Sequence, residues 1–368
     1  MKIMVLERSE EMLLALLRSA LHQQEVETTY FQHITDQDWE LCYRLAVRQG
    51  VSALAWEGIE RLPMGYAPPL DVKISWVLLE KKQLATYRKH CKAVNELTRL
   101  YAQHGIATVV LKGVGLSRFY PVPAHREGGD IDIYTYSTDK TLMTDEEANR
   151  LADHLMEKKG INIDYSYKKV HSSFCYQGIL FENHRRFLNI ETFTEIAELD
   201  TWLKRCLSPI SVSVLGDDDQ ISVPSIVFDR VFILLHAAQH YGNGLLLRHL
   251  CDWVVLTQQK GLKLPKELTN KYFLRITSVF SQLANRYLGA SIPVEGGEKL
   301  ADEMMEEIMR PPFYSKSSYS DPIRAGWCKI RFKLHLLGLR NRLLGMSIWK
   351  GIMKLVLSVL SKPSRLYR

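Results

Sequence analysis

The stretch VVLKGVGLSRFYPVPAHREGGDIDIY, Val109 to Tyr134, decides how the rest of the chain is read. An apolar run enters a Lys112-Gly113-Val114-Gly115 turn, a short helical segment Leu116 to Tyr120 ends at Pro121 and Pro123, and the chain returns as an alternating strand. That strand carries Asp130 and Asp132 at i and i+2, so both carboxylates point to one face, separated by a rise of roughly 6 to 7 Å. Two such charges repel by about 2.5 kcal/mol at an effective dielectric near ~20. A divalent cation relieves that repulsion. The glycine turn lets backbone N–H groups approach phosphate oxygens, and the helix start that follows adds favourable partial charge. The stretch reads as a metal-and-phosphate site.

Composition sets the frame around it. A chain of 368 residues suggests two or three packed units, and 46% hydrophobic with 24% charged residues is ordinary for a soluble globular protein. The net charge of +7 is uneven: after Asp321 there are eleven Lys or Arg and no acid, so the remainder is acidic. The basic balance therefore describes a tail and excludes a chain that binds nucleic acid along its length. Six scattered cysteines without C-x-x-C spacing argue for free thiols in a reducing compartment and against a zinc ribbon. Glu7, Glu10 and Glu11 stand where a signal peptide needs its apolar segment, and no apolar run reaches the roughly 18 residues of a membrane span. A cytoplasmic protein is expected.

Outward from the site, the pattern divides the chain into an N-terminal helical region (1–105), an α/β core (106–223) and a C-terminal helical region with a basic tail (224–368). Upstream, leucines at helical spacing mark Met4 to Leu21, Thr35 with Asp38 forms a capping box for a helix that Gly50 ends, Val51 to Leu62 repeats the pattern, and a long helix runs from Leu70 to Gln103. Trp76 and Tyr87 read as core aromatics, with pocket lining as the alternative. In the core, Ile106 to Leu111 and Ile131 to Thr135 are strands, and Thr144 with Glu147 caps a helix that Gly160 stops. Ile161 to Lys168, Ser172 to Gln177 and Ile179 to Leu188 are further β segments, with Gly178 as a turn. Helices follow at Ser225 to Tyr241, Leu245 to Gln259, Thr277 to Leu288 and Gly297 to Met309. The expected fold class is α+β, a central mixed β-sheet flanked by helices.

A strand, Lys112-Gly113-x-Gly115, a short helix and then Arg126-x-Gly128-Gly129-Asp130-Ile131-Asp132 together resemble the nucleotidyltransferase superfamily that includes DNA polymerase beta. Within it, the chain is similar to a bacterial nucleotidyltransferase family with LKG, a gap and R-x-x-G-D-x-D. Leu13 to Leu21, Val51-Ser52-Ala53-Leu54 and Leu235-His236-Ala237-Ala238-Gln239-His240 carry the likeness into the flanks. The resemblance implies a nucleotidyltransferase core in which Asp130 and Asp132 bind two Mg²⁺ ions with a third carboxylate from a neighbouring strand. Glu182 is the expected third, followed by His184 in an acid-x-His pattern; Glu191 and Asp164 are its competitors. Lys112 and Arg126 are placed to offset triphosphate charge, Gly113 and Gly115 form the cradle, and Ser117 is either a hydroxyl donor or a surface serine. Val114 departs from the superfamily's usual Gly-Ser or Gly-Gly turn.

The implied reaction moves an NMP from an NTP to an unidentified acceptor: sugar, small molecule, protein or RNA. The family's link to bacterial surface-polysaccharide genes, carried by the resemblance alone, keeps a sugar-related acceptor among them. The alternatives are a D-x-D glycosyltransferase and a non-catalytic nucleotide-binding scaffold. Two features stay outside that reading. His236 and His240 lie at i and i+4 with His249 and Asp252 nearby, a spacing that suits a metal but lacks the H-E-x-x-H glutamate, so a pocket-lining or core role is set beside it. The tail from Arg324 to Arg368 interleaves cations with large apolar residues, which suits an anionic membrane, an acidic partner or RNA phosphates, or a helix pair packed on the acidic remainder.

Overall fold

The computed structural model describes residues 5–167, 169–191, 193–214, 220–241, 244–259, 266–309, 334–345, 349 and 352–353. Four helices come first: α1 (Arg8–His22), α2 (Asp36–Arg48), α3 (Ser52–Glu60) and the 33-residue α4 (Leu70–Ala102). The α/β part follows with β1 (Ile106–Val110), α5 (Val114–Ser117), β2 (Ile131–Ser137), α6 (Asp145–Lys158), β3 (Ile163–Asp164), β4 (His171–Tyr176), β5 (Ile179–His184), α7 (Ala197–Cys206), β6 (Ile210–Ser213) and β7 (Gln220–Val223). The remaining helices are α8 (Ile226–His240), α9 (Leu247–Thr257), α10 (Lys271–Leu288) and α11 (Glu298–Met309), and 334–344 is also helical. Among the described residues, no helix is long and apolar enough to cross a membrane.

Local chemistry sets the element boundaries. Thr35 and Asp38 close a reciprocal capping box at α2, and Thr144 and Glu147 do the same at α6, so orphan N–H groups of both helix starts are satisfied. The helix after the glycine turn starts at Val114 rather than Leu116 and lasts a single turn. Of the β segment expected from Ile161 to Lys168, only Ile163 and Asp164 pair as a strand among the described residues, and Tyr165, Ser166 and Tyr167 after them are exposed, with no buried face to fill.

The seven strands form one mixed sheet in the order β3-β4-β5-β2-β1-β7-β6. The β1–β2, β3–β4, β4–β5 and β6–β7 pairs are antiparallel, while β2–β5 and β1–β7 are parallel. This is the α+β fold that the residue pattern implied.

Strand alternation separates two cores. Ile106, Val110, Ile131, Ile133 and Phe181 join the inner faces of α4 and α6 on one side of the sheet. On the other side, Val109 and Leu111 join a larger core that takes in α1 to α3 and α8 to α11, so the first and last helices of the chain share one apolar interior. Leu336, Leu339, Leu343 and Leu344 belong to it too, and Arg342 and His335 pair with Glu303 and Glu307 of α11. That much of the basic tail packs on the protein; Arg324 to Lys333, Lys350 and the stretch from Lys354 to Arg368 lie outside the described residues. Asp132 sits between Ile131 and Ile133. Alternation therefore turns its carboxylate away from the α4 and α6 core, toward the face that α8 covers.

Candidate active site

β1 leaves the sheet at Val110, and the Leu111 N–H still donates to the Asp132 carbonyl at 2.9 Å, which places the next residue, Lys112, over the acidic strand. The turn then needs glycine twice. Gly113 has φ +62° and ψ −119°, a conformation that side-chain-bearing residues avoid. At Gly115 a Cβ would lie 2.7 Å from the Val110 carbonyl oxygen, so this residue lets the turn pack against β1, and its N–H is already given to the Lys112 carbonyl.

The carboxylates meet through strand register. In the parallel pair β2–β5, Asp132 stands opposite Glu182 and Tyr134 opposite His184. Ligand oxygens of Asp130, Asp132 and Glu182 all lie within 4.8 Å of one another. The competitors are elsewhere: Asp164, on the edge strand β3, accepts the Ser166 N–H at 2.7 Å, and the exposed Glu191 pairs with Lys169 at 2.9 Å.

Asp132 is fully buried and would be costly to ionise there without partners. His184 Nε2 donates to its Oδ1 at 2.9 Å, and Lys112 Nζ stands 3.0 Å from its Oδ2 and 3.9 Å from Asp130. Burial alone would raise the Asp132 carboxyl, but the Lys112 charge and the His184 bond hold it well below the usual carboxylate range. Burial likewise works against a charged His184, yet the hydrogen bond to Asp132 and then the nearby Glu182 carboxylate push it up to about 9. Its Nδ1–H donates to the Arg186 carbonyl at 3.1 Å, fixing the ring.

Behind Lys112, burial and the Lys112 charge drive His236 well below the normal imidazole range. The neutral ring accepts from Lys112 Nζ at 3.0 Å and stacks on His240, with centroids 4.3 Å apart. Among the described residues these two histidines belong to no metal-holding group and act on Lys112 instead.

Two expected phosphate contacts are placed otherwise. The Ser117 hydroxyl is buried and donates to the Val114 carbonyl at 2.6 Å, beneath the turn and not at the carboxylates. Arg126 lines the cleft, but its guanidinium is committed: Nε and Nη2 donate to Asp252 at 2.8 and 2.9 Å, and the Tyr120 hydroxyl donates to the same carboxylate at 2.6 Å. Trp76 donates to the Ser52 carbonyl inside the core, and Tyr87 is buried against Ser117, so both are packing aromatics. The cleft is completed by Arg248 and His249 from α9 and Ile233 from α8.

One site residue escaped the sequence reading. His171 faces His184 across the β4–β5 hairpin and lies 3.6 Å from Glu182. A two-residue turn at Gln177-Gly178 fixes the count back to 171, so the signal was present in the strand register.

With this geometry in place, the comparisons are informative. A family model described as uncharacterised nucleotidyltransferase matches residues 35–277. The chain belongs to this nucleotidyltransferase family. The match runs from α2 into the first turns of α10 and includes Lys112, Asp130, Asp132, Glu182 and His236. Among solved structures, the crystal structure of an antigenic nucleotidyltransferase-like protein from Paracoccidioides brasiliensis is similar at 12% identity, over 55% of this chain and 93% of that one, with a TM-score of 0.37. No curated protein matches.

Two outcomes follow from this geometry. Arg126→Met leaves Asp252 buried without its cation, and chemical denaturation should show a loss of about 3–5 kcal/mol; the double variant Arg126→Met/Asp252→Leu should recover most of it. A loss under about 1 kcal/mol would return Arg126 to a ligand-binding role. For His184, a folded-state value raised from 6.5 to about 9 means stability fully present below pH 6.5 and lost as pH rises through 9. The urea midpoint of metal-free protein should fall across that window, and His184→Gln should flatten the fall; an unchanged slope would show that the proton is held elsewhere.

Proposed function

We propose that the chain transfers an NMP from an NTP to an acceptor hydroxyl or phosphate, with Asp130, Asp132 and Glu182 holding two Mg²⁺ ions. The single observation that carries this is the β2–β5 register, which sets Glu182 directly beside Asp132 with Asp130 two residues upstream. Family membership points the same way.

The donor set fits the ion. It is made of carboxylate oxygens only, as Mg²⁺ prefers. Asp132 Oδ2 is buried and has no hydrogen bond among the described residues, since Lys112 lies near it outside hydrogen-bonding geometry. When bound, the ions supply positive charge that stabilises the attacking and leaving oxygens at the α-phosphorus and acidify the acceptor hydroxyl.

The chain's own groups do the rest. His184 fixes one oxygen of Asp132 and leaves the other directed at the Lys112 side of the cleft. Lys112, shared between Asp132 and neutral His236, keeps its ammonium close to the place where triphosphate charge arrives. The acceptor's hydroxyl attacks the α-phosphorus, giving its proton to solvent, the bond to the bridging oxygen breaks, and pyrophosphate leaves. Arg248, at the start of α9 on the cleft wall, brings a second cation to the same opening. In this reading the protein is a cytoplasmic enzyme whose NTP enters through the cleft and whose acceptor is set by the helical flanks.

Asp130→Asn, Asp132→Asn and Glu182→Gln should each weaken Mg²⁺-dependent NTP binding, measured by calorimetry, and lower pyrophosphate release by at least the roughly 10–100-fold that even an outer-shell change costs a metal site. Unchanged NTP affinity in all three variants would refute the carboxylate assignment. Sugar transfer from a nucleotide sugar without pyrophosphate release would replace the reaction by a glycosyl transfer.

A further inference from the structure

The carboxylate set does not use every ligand on this face of the sheet. His171 on β4 and Glu182 and His184 on β5 project together, because His171 and His184 are cross-strand partners and Glu182 is two residues from His184. One ligand atom from each of the three lies within 4.8 Å of the other two.

Their spacing is telling. Glu182 Oε1 is 3.6 Å from His171 Nε2, and Glu182 Oε2 is 3.7 Å from His184 Nε2. Both distances are too long for good hydrogen bonds. They run to different oxygens of the one carboxylate, and each is near the roughly 3.4 Å that separates two ligand atoms on a tetrahedral ion with bonds of about 2.0–2.1 Å. His171 makes no side-chain hydrogen bond among the described residues, and its Nδ1 is buried without a partner. His184 donates Nδ1–H to the Arg186 carbonyl, the outer contact that aims an imidazole Nε2 at a metal.

We infer that His171, Glu182 and His184 form a second cation site, of mixed nitrogen and oxygen donors, selective for a zinc-class transition ion. Imidazole suits zinc, cobalt and iron, whereas the all-carboxylate set suits magnesium. Binding needs neutral imidazoles, so the ion takes the place of the proton that His184 Nε2 gives to Asp132, and that proton passes to solvent. Glu182 belongs to both sets, so a transition ion here competes for the third carboxylate of the proposed reaction. That consequence rests on the nucleotidyltransferase reading, while the site itself does not.

Co²⁺ titration of the metal-free full chain, followed by visible d–d absorption, separates the two sets. Wild type should give the intense bands of a low-coordinate site, and Mg²⁺, which shares only Glu182 with it, should displace the ion only at large excess. His171→Gln should weaken Co²⁺ at least tenfold, and His171→Cys should restore binding with a thiolate charge-transfer band, which also shows that the strand is folded. Asp130→Asn should keep the Co²⁺ bands while losing Mg²⁺-dependent NTP binding. No bands in wild type, or equal affinity in wild type and His171→Gln, overturns the mixed site. Either result leaves the three-carboxylate reading standing, because that reading is judged by NTP binding in Asp130→Asn.

Discussion

A carboxylate with no exposure to water has to be neutralised by what surrounds it, and Asp132 imposes that requirement on the whole α/β core. The strand alternation that sends Ile131 and Ile133 into one core sends Asp132 into the other. Burial would protonate it, so the fold supplies charge from two directions: Lys112 from the turn after β1 and His184 from the end of β5. Neither helper stands alone. His236 on α8 holds Lys112 in place as a neutral acceptor, and the Arg186 carbonyl holds the His184 ring.

This explains why distant parts of the chain converge. The two flanking helical regions share a single apolar interior, and α8, which carries His236, packs from that interior onto the acidic face of the sheet. A second buried pair, Arg126 with Asp252, ties the loop before β2 to α9 and so fixes where Asp130 begins. Its net contribution to stability is modest against the cost of burying both charges, but losing one partner alone is expensive. The loop that delivers the acids is therefore anchored by charge pairing at one end and by close backbone packing at Gly115 on the other.

Much of this was legible in the residues. The D-x-D pair on a strand, the glycine turn, the helix caps at Thr35 and Thr144 and the hairpin at Gly178 each have a local cause, and the α+β class follows from them. What was not legible depended on partners far away in sequence. Arg126 looks like a triphosphate ligand until Asp252, on α9, is placed beside it. Ser117 looks exposed until its turn folds under β1. β6 and β7 are four-residue strands, too short for a periodic signal, yet β7 lies beside β1 in the sheet. Glu182 is set above Glu191 and Asp164 by its strand-like surroundings and the acid-x-His pattern; that strand register would bring it opposite Asp132 depended on the pairing of β2 with β5.

The most direct test is crystallographic: anomalous scattering from crystals of the full chain soaked with Mn²⁺ and a non-hydrolysable NTP. Manganese follows magnesium to carboxylate oxygens and is visible in the anomalous signal. The account predicts peaks at bonding distance from Asp130 and Asp132, with the triphosphate against Lys112 and Gly113. Nucleotide bound elsewhere on the protein, with no anomalous peak at these carboxylates, would contradict it.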